Sequence, residues 1–368
     1  MDTIPSWAPP QAADVPVPRP PRVWPGVLVL FLLAPLLGEV LSGSTPPVDF
    51  ITNPINFIFQ PLLYGSGAIL ARELVRRRSL GWWRIILLGA AYGIFEEGLV
   101  VTSWFNPYWP DLWKQDHNFG RALGIAWPWA VGLTAYHAIV SITISIVLVE
   151  TLFPRIAAQP WLNRRGVRLF EIILGAVWVV GFIGFGIILA GFQSKGAYHG
   201  PPLSYALAIA LAAAFVWLGL RPARAARDAT VDDRPVPGLW LLRGFGLLAT
   251  VAFFVVHFSQ GSIFHMAQVE IAVVLVILAL AAWRVTSWAR RSGWGARQRL
   301  ALATGAMSFF ILLAPIVAMN PSQGKATWSL LYAAPVWVAF LIFLARRARR
   351  TELTHERPTL PVYGASQG

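Results

Sequence analysis

The chain has 368 residues, 56% of them hydrophobic and only 13% charged, with a formal net charge of +13. A soluble domain is nearer one quarter charged, and several apolar stretches here reach the roughly 18 residues that read as a membrane-crossing helix. A water-soluble globular fold is therefore excluded, and with no cysteine so are a disulfide framework, a thiolate metal site and a catalytic thiol. The fold class that follows is all-α, a polytopic integral membrane protein.

Taken in chain order, residues 1–22, with "APPQAADVPVPRPPR", are proline-rich and lack a core, so they read as a disordered tail. Residues 23–345 read as one transmembrane domain of about ten helices. The first span covers 23–42 and carries Glu39 near its outer end. The second, 55–75, has a polar stripe of Asn53, Asn56, Gln60 and Tyr64 at its outer end. In the third, 82–105, Gly89, Gly93 and Glu97 are four apart and line one face, with Glu96 beside Glu97. Small residues at that spacing let another backbone approach closely. The loop after it, "NPYWPDLWKQDHNFGR", holds Asp111, Asp116 and His117 and is read as an interfacial aromatic belt. The fourth span, 125–152, has Thr134, His137, Ser141 and Ser145 at helical period.

The remaining spans, 169–192, 202–221, 238–260, 262–284, 299–319 and 327–345, carry little chemistry. The exception is "HFSQGSIFHMAQVE", where His257, His265, Gln268 and Glu270 lie near two helix ends. Such positions reach interfacial water, so these histidines are read as structural. Glu73, Glu150 and Glu171, close in sequence to Arg76, Arg155 and Arg168, are read as surface ion pairs. Residues 346–368 form a basic and then disordered tail.

The loops test the span count. Of the 30 Lys and Arg, only Lys114, Arg121, Lys195 and Lys325 fall in connections after odd-numbered spans. Basic loops stay inside, which puts both termini in the cytoplasm of a bacterial cell, in its inner membrane. The same arginines meet anionic lipid headgroups. The bilayer is thus the expected partner, and the positive charge does not call for nucleic acid.

The polar residues of spans 1–4 converge in depth. Glu96 and Glu97 lie about 12–14 Å below the outer surface and His137 about 15 Å below it. A carboxylate near the bilayer centre costs roughly 2.5–3.5 kcal/mol on insertion scales, and intramembrane acids are functional by default. Two adjacent acids repel if both ionise, so at least one is protonated or paired. Glu96, Glu97 and His137 are the candidate catalytic residues. Glu39, Asn53, Asn56, Gln60, Tyr64 and Ser141 are candidate substrate-binding residues. Whether a cofactor or a metal binds stays open. A metal site would need three of Glu96, Glu97, His137, His257 and His265 together.

An adjacent Glu pair followed by His in later spans resembles the CPBP family of intramembrane proteases, which includes the type II CAAX prenyl endopeptidases. The family pattern is EExxxR, FxxxH and HxxxN. "EEGLVV" supplies Glu96 and Glu97, with Val101 at the Arg position, and "LTAYH" supplies His137, with Leu133 at the Phe position. "FFVVH" fits FxxxH at Phe253 and His257 but four spans further on, and Val269 stands four after His265 in place of Asn. The resemblance, which spans 3 and 4 carry, implies a Glu that activates water and His residues that assist. Three functions stay open from sequence. One is an intramembrane hydrolase acting on a small-molecule, lipid or peptide substrate. The second is a proton-coupled transporter or flippase, and the third is a non-catalytic scaffold.

Overall fold

The computed structural model describes residues 21–109, 119–196, 200–222, 232–259, 261–319 and 324–355. The disordered tails expected at 1–20 and 356–368, and Asp111, Asp116 and His117, lie outside them. Within the described residues the chain is mostly helical, with one hairpin, β1 Arg121–Ala122 and β2 Ile125–Ala126, and an isolated β-bridge between Asp232 and Arg291.

The helices are α1 Trp24–Val40, α2 Pro47–Thr52, α3 over 54–77, α4 over 82–100, α5 Trp127–Leu152 and α6 Arg164–Gln193. They continue as α7 Pro202–Leu220, α8 Leu239–His257, α9 Ala267–Ala289, α10 Ala296–Ala318 and α11 Leu330–His355. Seven of these runs, α5 to α11 with the last taken from Thr327, are long and apolar enough to cross a membrane. The helix α1 is apolar but shorter, and α3 and α4 occupy the second and third expected spans with more polar sequences.

Several boundaries differ from the sequence reading for local reasons. The fourth helix stops at Val100 instead of 105, because Thr102 takes a left-handed backbone (φ 61°) and its carbonyl accepts from the N–H groups of Phe105 and Asn106. The eighth stops at His257, since the next turn is closed by Glu270, whose carboxylate accepts from Ser259 Oγ and the Gly261 N–H. The last helix runs ten residues beyond the expected end at 345, to His355.

Five of the described helices contain a stretch in which backbone bonds run i→i+5: 36–40 in α1, 61–65 in α3, 95–100 in α4, 137–144 in α5 and 182–189 in α6. The Leu41 N–H donates to Leu36 O and the Val101 N–H to Glu96 O, both at 2.8 Å. In α1 and α3 a proline stands at the start, Pro35 or Pro61, where the ring removes an ordinary i→i+4 donor. A π turn adds a residue to the helical repeat, so it re-aims the side chains it carries.

Packing gathers α1, α3, α4 and α5 into one cluster. A Cβ on Gly89 would lie 2.9 Å from the backbone of Ala138, so the glycine face of α4 meets α5 directly. The seventh helix covers the other side of α4, while α8, α9, α10 and α11 pack beside α5.

The Arg-rich end corrects one expectation. Arg72 is fully buried, with Nε 3.0 Å from Glu150 Oε1, and Arg76 Nη2 lies 2.6 Å from Glu150 Oε2. Glu73 pairs with Arg77 and accepts from the backbone N–H groups of Trp161 and Leu162. Arg72 also donates to the carbonyls of Ile156 and Ala157, its guanidinium 3.3 Å from the Trp161 ring centre. These are buried ties between α3, α5 and the 154–162 turn, not surface pairs; Glu171 alone of the three acids is exposed.

Candidate functional site

Four of the five π turns, all but the apolar one at 182–189, carry polar residues that sequence singles out. Glu39 is on the first, Tyr64 on the second, Glu96 and Glu97 on the third, and His137 and Ser141 on the fourth. The extra residue in each turn brings these side chains to one place.

At that place His137 Nε2 lies 2.9 Å from Glu96 Oε2 and 3.1 Å from Glu97 Oε1. His137 is 2% exposed, Glu96 3% and Glu97 9%, so this is a desolvated charge cluster. The other ring nitrogen, Nδ1, is 3.0 Å from Ser141 Oγ, which fixes the plane of the imidazole. Tyr136 and Tyr92 pack edge-on against the ring, and Tyr64 lies tilted beside it.

Each carboxylate has its own support. Tyr64 OH lies 3.0 Å from Glu96 Oε1 and 2.5 Å from Glu39 Oε1, so a phenol bridges two acids from different helices. Thr45 Oγ1 donates to Glu39 Oε2 at 2.9 Å, and Gln60 Nε2 donates to Thr45 Oγ1 at 2.9 Å. On the other side Ser103 Oγ donates to Glu97 Oε2, and Trp129 Nε1 donates to Ser103 Oγ at 3.1 Å. The early end of α4 makes this last contact, because the left-handed turn at Thr102 folds Ser103 back over the helix.

The cluster forms part of the wall of a cavity of about 860 Å³. Glu39, Asn53, Asn56, Gln60, Tyr64, Glu96, Glu97 and His137 all line it, whereas Ser141 is buried behind His137 and does not. Asn53 and Asn56 are also engaged locally: Asn53 Oδ1 caps α3 by accepting from the Ile55 N–H, and Asn56 Nδ2 donates to Asp49 O. The opposite wall is apolar, with Phe59, Trp109, Phe185, Phe254 and Val317. Near Asp49, Asp49 Oδ2 accepts from the Ala326 N–H and Ser329 Oγ from the Val48 N–H, which ties α2 to the turn before α11.

His257 corrects the reading that placed it in interfacial water. It is 2% exposed and lines the same cavity. Its ring stacks on Trp129 and Phe253 at 5.6 Å, and neither ring nitrogen has a hydrogen-bond partner. It fits there because a Cβ on Gly132 would fall 2.0 Å from its Nδ1. His265, by contrast, is exposed, as expected. Ser103, Thr45 and Trp129 had no signal in the sequence, but the Phe253–His257 spacing did place an imidazole one turn from an aromatic partner.

Glu96, Glu97 and His137 each offer one ligand atom, and these lie within 4.8 Å of one another. Three donors with a further position left open is the pattern of a catalytic zinc site, and the Ser141 contact supplies the outer support a ligating His uses. The group is thus able, in donor type and spacing, to hold a divalent cation. Without one, it can share a proton between an imidazole and two carboxylates.

The chain is similar to a protein of Archaeoglobus fulgidus described as "Uncharacterized protein", 28% identical over 158 residues. That segment is 41% of this chain, and it spans about half (47%) of the length of that relative. No solved structure matches. The sequence model of a family described as "Uncharacterized membrane protein family" matches residues 28–355, and no match to the CPBP proteases accompanies it. With nearly the whole helical domain covered, the chain belongs to this family of membrane proteins.

Proposed function

We propose that this protein is an intramembrane hydrolase in which a Glu–Glu–His group activates water against a substrate held in the cavity. The observation that carries the reading is His137 Nε2 within 3.1 Å of both carboxylates, all three buried and facing one hollow. General acid–base partners need that hydrogen-bond reach.

In this reading Glu97, steadied by Ser103, takes a proton from water as the water oxygen bonds to the substrate carbonyl carbon. The carbonyl π electrons move to oxygen, and His257, which lines the cavity with neither ring nitrogen hydrogen-bonded, donates to that oxyanion. The tetrahedral species then collapses, the bond to the leaving group breaks, and the proton on Glu97 passes to the leaving atom. His137, held between Glu96 and Glu97, balances the charge on Glu97 throughout. The CPBP resemblance enters here as a chemical parallel only. The apolar wall favours a substrate with a hydrocarbon part. The reading also takes the ten helices other than the short α2 as spans, with both termini on the Arg-rich side in the cytoplasm.

A second reading has an observation of its own. Gln60, Thr45, Glu39, Tyr64, Glu96 and His137 form an unbroken hydrogen-bonded and ion-paired series, the arrangement of a proton-coupled carrier. Against it, α5 beyond Ser145 continues as buried Ile146, Val147 and Leu148, and among the described residues the series goes no further.

One preparation separates the two. Purified protein is reconstituted into vesicles loaded with a pH dye. Quenched-fluorophore reporters, one a single-span peptide and one a lipid ester, are added. Hydrolysis predicts reporter cleavage by the wild type that Glu97→Gln abolishes, with no proton flux. Uptake of protons that Glu97→Gln abolishes, with neither reporter cut, would replace this reading with the carrier.

A further inference from the structure

The Arg-rich end holds a second hollow, of about 240 Å³, between α8, α10 and α11. Four arginines line it: Arg243, Arg297, Arg346 and Arg349. The last two are three apart on α11 and so share a face. We infer that this hollow is a binding site for a phosphate-bearing anion, the headgroup of an anionic phospholipid or a free phosphate.

Positive charge at this end is unevenly balanced. Several other arginines at this end are matched inside the protein. Arg72, Arg76 and Arg77 pair with Glu73 and Glu150, and Arg84 and Arg347 donate to the carbonyls of Leu218 and Leu152. Among the described residues no carboxylate lines the hollow, and one from outside its wall, Glu352, reaches Arg297. Arg243 Nε is buried with no hydrogen-bond partner. Four guanidinium groups against one carboxylate repel one another in a partly desolvated space, and an anion removes that cost.

The donors also suit phosphate. Guanidinium groups bind its oxygens in bidentate fashion, which ammonium groups do not. Simple snorkelling of Arg to water explains Arg346 and Arg349, which are exposed, but not the buried Nε of Arg243. The rest of the wall is apolar, with Leu239, Leu300, Ala345 and Ala348. Trp240, 80% exposed, sits with its ring centre 4.6 Å from the Arg243 guanidinium, as tryptophans do at the headgroup level. A basic recess between helices with an apolar flank is what phospholipid headgroups occupy.

The test uses full-length protein, delipidated in non-ionic detergent. Its melting temperature is read with phosphatidylglycerol, with phosphatidylcholine, and with inorganic phosphate alone. Phosphatidylglycerol is expected to raise it by about 2–4 °C, phosphatidylcholine not at all. The rise is expected to fall by at least half in Arg243→Gln/Arg346→Gln and to persist in Arg164→Gln/Arg165→Gln, which lie outside the hollow. An equal rise with inorganic phosphate would make the ligand the soluble anion. Should the double variant fail to fold, Arg349→Gln, an exposed substitution, is read by native mass spectrometry of bound phosphatidylglycerol. Retention of the wild-type lipid count, an undiminished rise in the double variant, or no rise with either anion would overturn the proposal.

Discussion

Replacing Glu97 by Gln keeps the shape of the side chain and its contact with Ser103 but removes the charge that faces His137. On the hydrolase reading, reporter cleavage falls by about 10²–10⁴-fold, the usual worth of a general base, and Glu96→Gln falls with it. Melting of both variants in detergent is expected to stay near wild type, because each substitution relieves repulsion between adjacent acids. A large loss of melting temperature with unchanged cleavage would mark the pair as structural. Tyr64→Phe removes the hydroxyl between Glu39 and Glu96 and nothing else. Leaving the buried Glu96 and the half-buried Glu39 carboxylates without it costs about 1–3 kcal/mol, measured by the shift in melting temperature. Among the residues, the acids and His137 were legible in sequence because a charge in an apolar helix stands out. Ser103 and Trp129 were not, because a hydroxyl at a helix end and an aromatic near the interface are ordinary there. His257 was misjudged for a similar reason: position along a helix does not tell which way a turn folds.

The π turns belong to the scale of the element. Sequence periodicity of 3.6 put Thr134, His137, Ser141 and Ser145 on one stripe, but the wider turn over 137–144 changes the phase after His137. His137 and Ser141 consequently face each other, while Ser145 bonds back to Ser141 O. The meeting of α4 with α5 rests on absent side chains. Gly89→Leu would drive a branched side chain into the Ala138 backbone, 2.9 Å from a Cβ. Overpacking of this kind costs about 1–3 kcal/mol, and it should separate His137 from the acids, so thermal melting and reporter cleavage are expected to fall together. Gly132→Val should act differently, displacing the His257 ring while leaving the Glu–His contacts, with cleavage reduced more than stability. At the opposite end, Glu150→Gln leaves Arg72 buried without its partner. Breaking one side of a buried pair costs about 3–5 kcal/mol, readable as a loss of folded protein in detergent.

For the whole molecule, the absence of cysteine makes orientation directly measurable. Single substitutions Ser44→Cys and Ser292→Cys place exposed thiols at opposite ends. With both termini cytoplasmic, a membrane-impermeant maleimide is expected to label position 44 and not 292 in intact cells; the reverse pattern would invert the topology. Composition and hydropathy were sufficient to determine an all-helical membrane protein and where its helices run, because the apolar stretches must satisfy their own backbone groups within the bilayer. They also marked the two acids and His137 as exceptional, since burying charge is costly wherever it occurs. Only the tertiary structure decided that Glu39, Tyr64, Glu96, Glu97, His137 and His257 share one cavity, and that the arginines at the other end divide into a satisfied network and an unsatisfied recess. Those outcomes depend on π turns, a left-handed residue at Thr102 and backbone contacts at glycine. Each sets the direction of a side chain by a few ångströms of packing between segments distant in sequence, information that no local pattern holds.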